Sequence, residues 1–139
     1  MTTTTEPRPR GYLALVLHAH LPYVRHPEHP RFLEEAWLFE AITESYIPLL
    51  GVCERLAADG VPFRLALSLS PTLTTMLRDP LLQARYLDHG ERLLALAEAE
   101  VRRTRDDPRI NALARFYRER LADTLGRFRD RYGGDLVAA

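Results

Sequence analysis

The feature that most constrains this chain is a short apolar run that ends in two histidines. Residues Tyr12–Leu17 are apolar and lead directly into His18 and His20, with Pro22 close behind. The run is too short for a useful helix and is rich in Leu and Val, so we predict a buried strand over residues 11–18. Because side chains alternate across a strand, both histidines are expected to point to the same side, where the strand leaves the core.

A second strand is predicted beyond a long helical pattern. Apolar residues recur at helical spacing from about Leu33 onward. Gly60 is predicted to end this helix, because glycine suits a left-handed helix cap. Pro48 lies inside this pattern and is predicted to kink the helix or to start a second one. Residues 61–68 form the next strand candidate. Strand, helix and strand make a βαβ unit, so we expect the two strands to be parallel with a right-handed crossover.

Three helix start signals follow in the second half of the chain. Each combines an N-cap residue with proline at the first helical position: Ser70-Pro71, Asp79-Pro80 and Asp107-Pro108. They predict a short helix to Arg78, a long helix to about Thr104 and a third helix that ends at Gly133. Asp135 is predicted to cap the start of one more helix.

Composition excludes several classes of function. The chain has 139 residues, the length of one domain, with 19 basic and 19 acidic residues. This neutral balance argues against nucleic acid or a membrane surface as the main partner. All basic residues are Arg, so a Schiff-base lysine is impossible. The sequence has no signal-peptide pattern and no apolar run of the roughly 20 residues that span a bilayer, so we expect a cytoplasmic protein.

The predicted domain organisation is a disordered lead-in over residues 1–10, rich in Thr and Pro, followed by one folded unit over residues 11–139. Two parallel strands alone make a poor sheet, because parallel sheets are normally covered on both faces and contain more strands. We therefore expect residues 11–139 to be the first, apparently truncated part of a longer barrel or doubly wound domain. A small domain held by its helices is the alternative.

The two histidines allow several interpretations from the residues alone. Both imidazoles can satisfy local backbone groups in a non-enzymatic helical binding module. Two imidazoles on one strand face also suit a zinc ion, as in a metal-dependent hydrolase of the amidohydrolase type. The third ligand would then come from the following loop: His26, Glu28 or His29. Alternatively, His18 and His20 hydrogen-bond a polar substrate such as a sugar, with Tyr23 and Trp37 as an apolar face for the ring.

The motifs around the histidines resemble glycoside hydrolase family 57. Residues 15–25, LVLHAHLPYVR, resemble the first conserved region of this family. Residues 34–50, EEAWLFEAITESYIPLL, resemble the helix that follows it in the α-glucan branching enzyme group. Residues 65–73, LALSLSPTL, resemble the second strand and turn of the same group. The resemblance runs from about Gly11 to about Thr104, and the order of elements agrees throughout.

The resemblance implies an α/β fold, the N-terminal part of a (β/α)₇ barrel, with two parallel strands plus several long helices. It implies action on α-1,4-glucans with retention of configuration, through a glutamate nucleophile, an aspartate general acid and a covalent glycosyl-enzyme. It implies no metal and no other cofactor. It also implies that His18 lines the pocket near the sugar that is cleaved and that His20 lies close by, so both are predicted to bind substrate.

The resemblance does not extend to the catalytic carboxylates. In the family they belong to later barrel strands, and residues 104–139 contain no similar motif. Four acidic residues lie on or before the first helix rather than at a strand end: Glu34, Glu35, Glu40 and Glu44. We therefore expect no catalytic residue in this chain, an α-glucan as substrate, the remainder of the barrel as partner and no activity of the chain alone. Phe32 is the aromatic candidate in the loop where branching enzymes often carry a glucan-stacking ring, so amylase or glucanotransferase activity stays an alternative.

Overall fold

The computed structural model describes residues 11–139, which form a two-stranded sheet and a layer of helices. The elements in chain order are β1 (Val16–Ala19), α1 (Glu35–Ala41), α2 (Ile47–Ala58), β2 (Ala66–Leu69), α3 (Pro71–Leu77), α4 (Pro80–Arg103) and α5 (Pro108–Gly126). This is the predicted order. The predicted disordered lead-in, residues 1–10, lies outside the described residues. None of the helices found in residues 11–139 has the length and apolar character needed to cross a membrane.

The two strands pair in parallel, which confirms the predicted βαβ unit. The register aligns Val16 with Ala66 and His18 with Ser68. Both strands are shorter than predicted and begin later. Each strand has a single ladder partner in the described chain, and the first half of each predicted range pairs with no strand. Both strands also end one residue later than predicted, so His18 lies inside β1 and His20 directly after it.

Helices cover only one face of this sheet. On the covered face Leu17 and Leu69 are half-buried. On the opposite face Val16 is 71% exposed. Ahead of the strand, Tyr12 and Leu13 are 93% and 90% exposed. The prediction of a buried β1 is therefore wrong for the described chain. No element of residues 11–139 packs on the face opposite the helices, which we call the outer face of this sheet.

The three predicted N-caps are confirmed. The Ser70 hydroxyl accepts a hydrogen bond from the Leu73 amide at the start of α3. The carboxylates of Asp79 and Asp107 each accept from two amides at the starts of α4 and α5. These bonds satisfy amides that have no partner within the helix, so each helix begins where its cap residue fixes it.

Pro48 changes the helix around it without ending it. It is the second residue of α2, and the preceding segment, Ile42–Tyr46, is a π-helical turn that joins α1 to α2. Proline lacks an amide hydrogen and crowds the carbonyl of the fourth residue before it, and the wider turn accommodates both effects. The predicted second helix near Pro48 is thus present. Asp135 accepts hydrogen bonds from the amides of Val137 and Ala138 at the start of a turn, and residues 136–139 form no helix.

The core lies in the helical layer, where α1, α2, α3, α4 and the end of α5 meet. Tyr86 is at its centre: its ring packs edge-on against Phe128 with centroids 4.6 Å apart, and its hydroxyl lies 3.1 Å from that of Thr43. Burial raises the pKa of the Tyr86 phenol. Phe39 is buried, whereas Trp37 is 52% exposed. The other apolar core residues are Val24, Leu38, Ile42, Ile47, Leu73, Met76, Leu77, Leu82, Leu125 and Leu136.

Gly90 on α4 faces Leu125 on α5 without room for a side chain. A Cβ atom at Gly90 would overlap the Leu125 side chain. Such overpacking costs about 1–3 kcal/mol, whereas replacing glycine by alanine inside a helix gains only about 1 kcal/mol. We therefore expect Gly90→Ala to lower the free energy of unfolding by about 1 kcal/mol, measured by urea denaturation.

Gly126, at the end of α5, is the matched control. A Cβ atom there would meet only the Asp130 carboxylate, at an ordinary contact distance of 3.9 Å. Gly126→Ala is expected to raise the free energy of unfolding by up to about 1 kcal/mol. Equal stabilisation by both substitutions would show that α4 and α5 do not approach each other this closely at Gly90.

We expect His89 to make the stability of the helical layer depend on pH. Its ring packs against Phe39 with centroids 5.2 Å apart, and burial, then the charge of Arg92, hold the pKa of His89 below its ordinary value of 6.5 despite the opposing charges of Glu40 and Asp88. A histidine with a lowered pKa in the folded state contributes stability that is present above its unfolded pKa and is lost as the pH falls through its folded pKa. We expect the Tm to fall between about pH 7.5 and about pH 5.5, and to fall less in His89→Gln. An equal fall in both proteins would contradict this assignment.

Candidate functional site

The two histidines of the HxH motif lie side by side on the outer face of the sheet. Their ring centroids are 6.3 Å apart, the ring planes differ by 11°, and both side chains are exposed. The prediction that His18 and His20 share one side of the strand is confirmed. The pair lies at the carboxyl end of β1, the end at which parallel α/β folds bind their ligands.

The neighbouring strand brings two serines to the same edge of the sheet. Ser68 is the register partner of His18, and the Ser70 amide bonds to the Ala19 carbonyl just beyond the ladder, at 3.1 Å. Sequence reasoning did not select Ser68 as a site residue. The signal was available: β2 ends in Ser-Leu-Ser, with the same one-residue spacing as His-Ala-His at the end of β1.

An apolar cavity of about 260 Å³ lies behind the strands. Leu17, Leu67 and Leu69 line it from the sheet, and Tyr46 and Leu50 line it from the helices. His18, which stands between Leu17 and Ala19 in the chain, also borders it. The cavity lies between the sheet and the helices. Because its lining is mainly aliphatic, it offers few polar groups to a hydrophilic ligand.

The loop after β1 is fastened to the helices by polar contacts. The Thr72 hydroxyl donates to the Leu21 carbonyl, at 3.3 Å. Arg25 donates to the Asp79 carboxylate at 2.5 Å, and the other oxygen of that carboxylate caps α4. The buried Val24 amide lies 3.3 Å from the Met76 sulfur. The start of the loop is therefore held against α3 and the beginning of α4.

A buried ion pair holds the far part of the same loop. Arg85 on α4 bonds to the carboxylate of Glu35, which is 2% exposed, and also donates to the carbonyls of His26 and His29. One guanidinium thus joins α1, α4 and two loop carbonyls, a use for which its planar fork of donors is well suited. The prolines of the loop reduce the number of conformations that these bonds must select.

The loop groups considered as metal ligands interact with one another. His26 lies 3.0 Å from the Glu28 carboxylate, and its ring packs on Phe32 with centroids 3.7 Å apart. A backbone hydrogen bond, followed by the His26 side chain, holds the pKa of Glu28 below its ordinary range. Within residues 11–139 no three His, Cys, Asp or Glu side chains come together as a ligand group. The geometry of the described residues therefore gives the amidohydrolase interpretation no support.

Two aromatic side chains near the loop remain accessible. Tyr23, in the loop itself, is 54% exposed, and Trp37, on the first helix after it, is 52% exposed. Phe32, in contrast, is half-buried and packs between His26 and His29. Accessible aromatic faces suit sugar rings, so Tyr23 and Trp37 meet this requirement better than Phe32 does.

A sequence profile described as Glycosyl hydrolase family 57 matches residues 14–130 of the chain. The crystal structure of the α-amylase AmyC of Thermotoga maritima aligns over 94% of this chain and 24% of that protein, with a TM-score of 0.86 and 46% identity. That of the family 57-type branching enzyme of Pyrococcus horikoshii aligns over 92% and 24%, with a TM-score of 0.84 and 35% identity.

The 1,4-alpha-glucan branching enzyme of Thermococcus kodakarensis is a further relative, 37% identical over 79% of this chain and 16% of its own length. Its crystal structure in complex with glucose aligns over 92% of this chain and 22% of that protein, with a TM-score of 0.80 and 31% identity. The chain thus spans between 16% and 24% of the length of these relatives. The likenesses confirm the predicted fold class, the N-terminal part of the family barrel.

The Glu35–Arg85 pair yields a prediction for the loop that follows the histidines. Glu35→Gln removes the charge that Arg85 needs, and an unpaired buried charge costs about 3 kcal/mol. We expect a loss of about 3 kcal/mol in the free energy of unfolding and faster proteolysis between His26 and His29. Glu34→Gln is the control, because that neighbouring carboxylate makes no capping bond to α1. A loss of similar size in both variants would contradict the role of the pair.

Proposed function

The chain belongs to glycosyl hydrolase family 57, and on that premise we propose that residues 11–139 form part of a catalytic barrel that acts on α-1,4-glucans, most like that of the 1,4-α-glucan branching enzymes. The observation that carries the proposal is the pair His18 and His20, aligned and exposed at the carboxyl end of β1. In this proposal both imidazoles bind the glucan.

The chemistry of the open sheet face supports a sugar ligand. A neutral imidazole has one donor and one acceptor nitrogen, so two aligned rings match the hydroxyl groups of a sugar, which also donate and accept. Tyr23 and Trp37 add accessible aromatic faces near the same loop. The branching enzyme relative from Thermococcus kodakarensis has been crystallised in complex with glucose.

The catalytic carboxylates of the proposed enzyme come from outside the described residues. Glu35 is buried and paired with Arg85, and Glu44 bonds to Arg120 on α5. Neither carboxylate lies at the end of a strand. We therefore assign the chain a substrate-binding part, with the glutamate nucleophile and aspartate acid supplied by the remainder of the barrel and without a cofactor. Retention requires these carboxylates to be close together on opposite sides of the sugar.

The uncovered face of the sheet is where that remainder would pack. Val16 and the apolar residues ahead of β1 are exposed, and each strand has one free edge in the described chain. Further parallel strands would pair with these edges and bury the apolar side chains, as a closed barrel requires. We place the whole enzyme in cytoplasmic α-glucan metabolism, with transfer to a glucan 6-hydroxyl as its reaction.

The binding role of His18 can be measured on the chain as it stands. We expect maltoheptaose to shift the imidazole NMR signals of His18 and His20, and His18→Ala to weaken binding about fivefold, because one hydrogen bond contributes about 1 kcal/mol. His89→Gln is the control, since His89 packs against Phe39 in the helical layer. Unchanged affinity in His18→Ala would remove this residue from the site.

A further inference from the structure

We propose that Ser68 is a further substrate-binding residue, whose hydroxyl contacts the same sugar ring as His18. The proposal rests on the glucan site proposed above and adds a residue from the second strand to it. It follows from three observations: the register of the sheet, the hydrogen bonds of the two serines at the end of β2, and the size of the side chains on the outer face.

The register places Ser68 directly beside His18. The two are aligned partners in the parallel ladder, one layer beyond Val16 and Ala66. Aligned residues of neighbouring strands project to the same face, and the strands are about 4.8 Å apart. Ser68 therefore shares the outer face with His18, and both side chains are exposed there.

The two serines of Ser-Leu-Ser have different hydrogen-bonding duties. The Ser70 hydroxyl accepts from the Leu73 amide as the cap of α3 and also lies 3.0 Å from the Thr72 hydroxyl. Among the hydrogen bonds formed by residues 11–139, none involves the Ser68 hydroxyl, although that of Ser70 takes part in two. The Ser68 hydroxyl is thus the one at the end of β2 that is available to a ligand without weakening a helix.

Side-chain size on the outer face leaves room for a sugar above β2. That strand contributes only Ala66 and Ser68 to this face, whereas β1 contributes Val16 and His18. The surface is therefore lower over β2, and the imidazole of His18 forms a wall beside it. A sugar ring at the carboxyl end of the two strands, one layer beyond Val16 and Ala66, would present hydroxyl groups to His18 on one side and to Ser68 beneath it. A hydroxyl both donates and accepts, so Ser68 can pair with either end of a sugar hydroxyl.

The test is an NMR titration of the isotope-labelled chain with maltoheptaose, comparing wild type, Ser68→Ala, Ser70→Ala and His18→Ala. We expect Ser68→Ala to weaken binding three- to tenfold with an unchanged Tm. Ser70→Ala is the matched control, because loss of the α3 cap lowers the Tm but leaves the affinity unchanged. Ser68→Val is a second variant: its added bulk on the floor of the site is expected to weaken binding at least as much as alanine does.

The outcomes separate this proposal from the one on which it rests. If wild type binds and His18→Ala weakens binding while both Ser68 variants bind like wild type, Ser68 is not in the site and the glucan site itself stands. Weaker binding by Ser70→Ala than by Ser68→Ala would also overturn the assignment. If maltoheptaose leaves the wild-type His18 signals unmoved, the glucan site and the role of Ser68 fall together.

Discussion

The parallel pairing of β1 with β2 is the constraint on which the rest of the structure depends. It fixes which side chains share a face, and so places His18 beside Ser68 and, by alternation, His18 beside His20. Helices cover one face of the pair, and the apolar residues of the other face are exposed. A parallel sheet is normally covered on both faces, so under the proposed function this small sheet is one wall of a barrel whose other strands cover its second side.

The helical layer supports the site from behind. Buried residues of α1, α2, α3, α4 and α5 form the core around Tyr86. The loop that follows the histidines is bonded to this layer at its start, where Arg25 donates to Asp79. Its far part is held by Arg85, which pairs with the buried Glu35 and donates to the carbonyls of His26 and His29. The loop therefore keeps its position relative to the outer face without strand neighbours of its own. Charge-assisted hydrogen bonds to the helices, and not pairing with strands, hold this loop beside the open sheet.

Local features of the sequence predicted local features of the fold. The caps Ser70, Asp79 and Asp107 were predictable because a cap acts on amides two or three residues away. The shared face of His18 and His20 follows from strand alternation alone. What depended on distant parts of the chain was missed. The burial of β1 was predicted wrongly because burial requires a cover that residues 11–139 do not supply. The Glu35–Arg85 pair joins residues far apart in sequence, and no local pattern encodes it. The Ser-Leu-Ser pattern marks the end of β2, but the alignment of Ser68 with His18 depends on the register between two distant strands.

The most direct test of the claim that the sheet is one wall of a larger barrel is residue-resolved amide hydrogen exchange of the chain. The informative amides are those of Ala66 and Ser70, which donate to the carbonyls of Leu15 and Ala19 at 3.0 and 3.1 Å. The account predicts that they exchange at least about a hundredfold faster than buried amides of α4, because sheet edges and outer face are open to water. Equal protection of the strand and helix amides would contradict it, since the chain would then be a self-sufficient module whose two strands need no further cover.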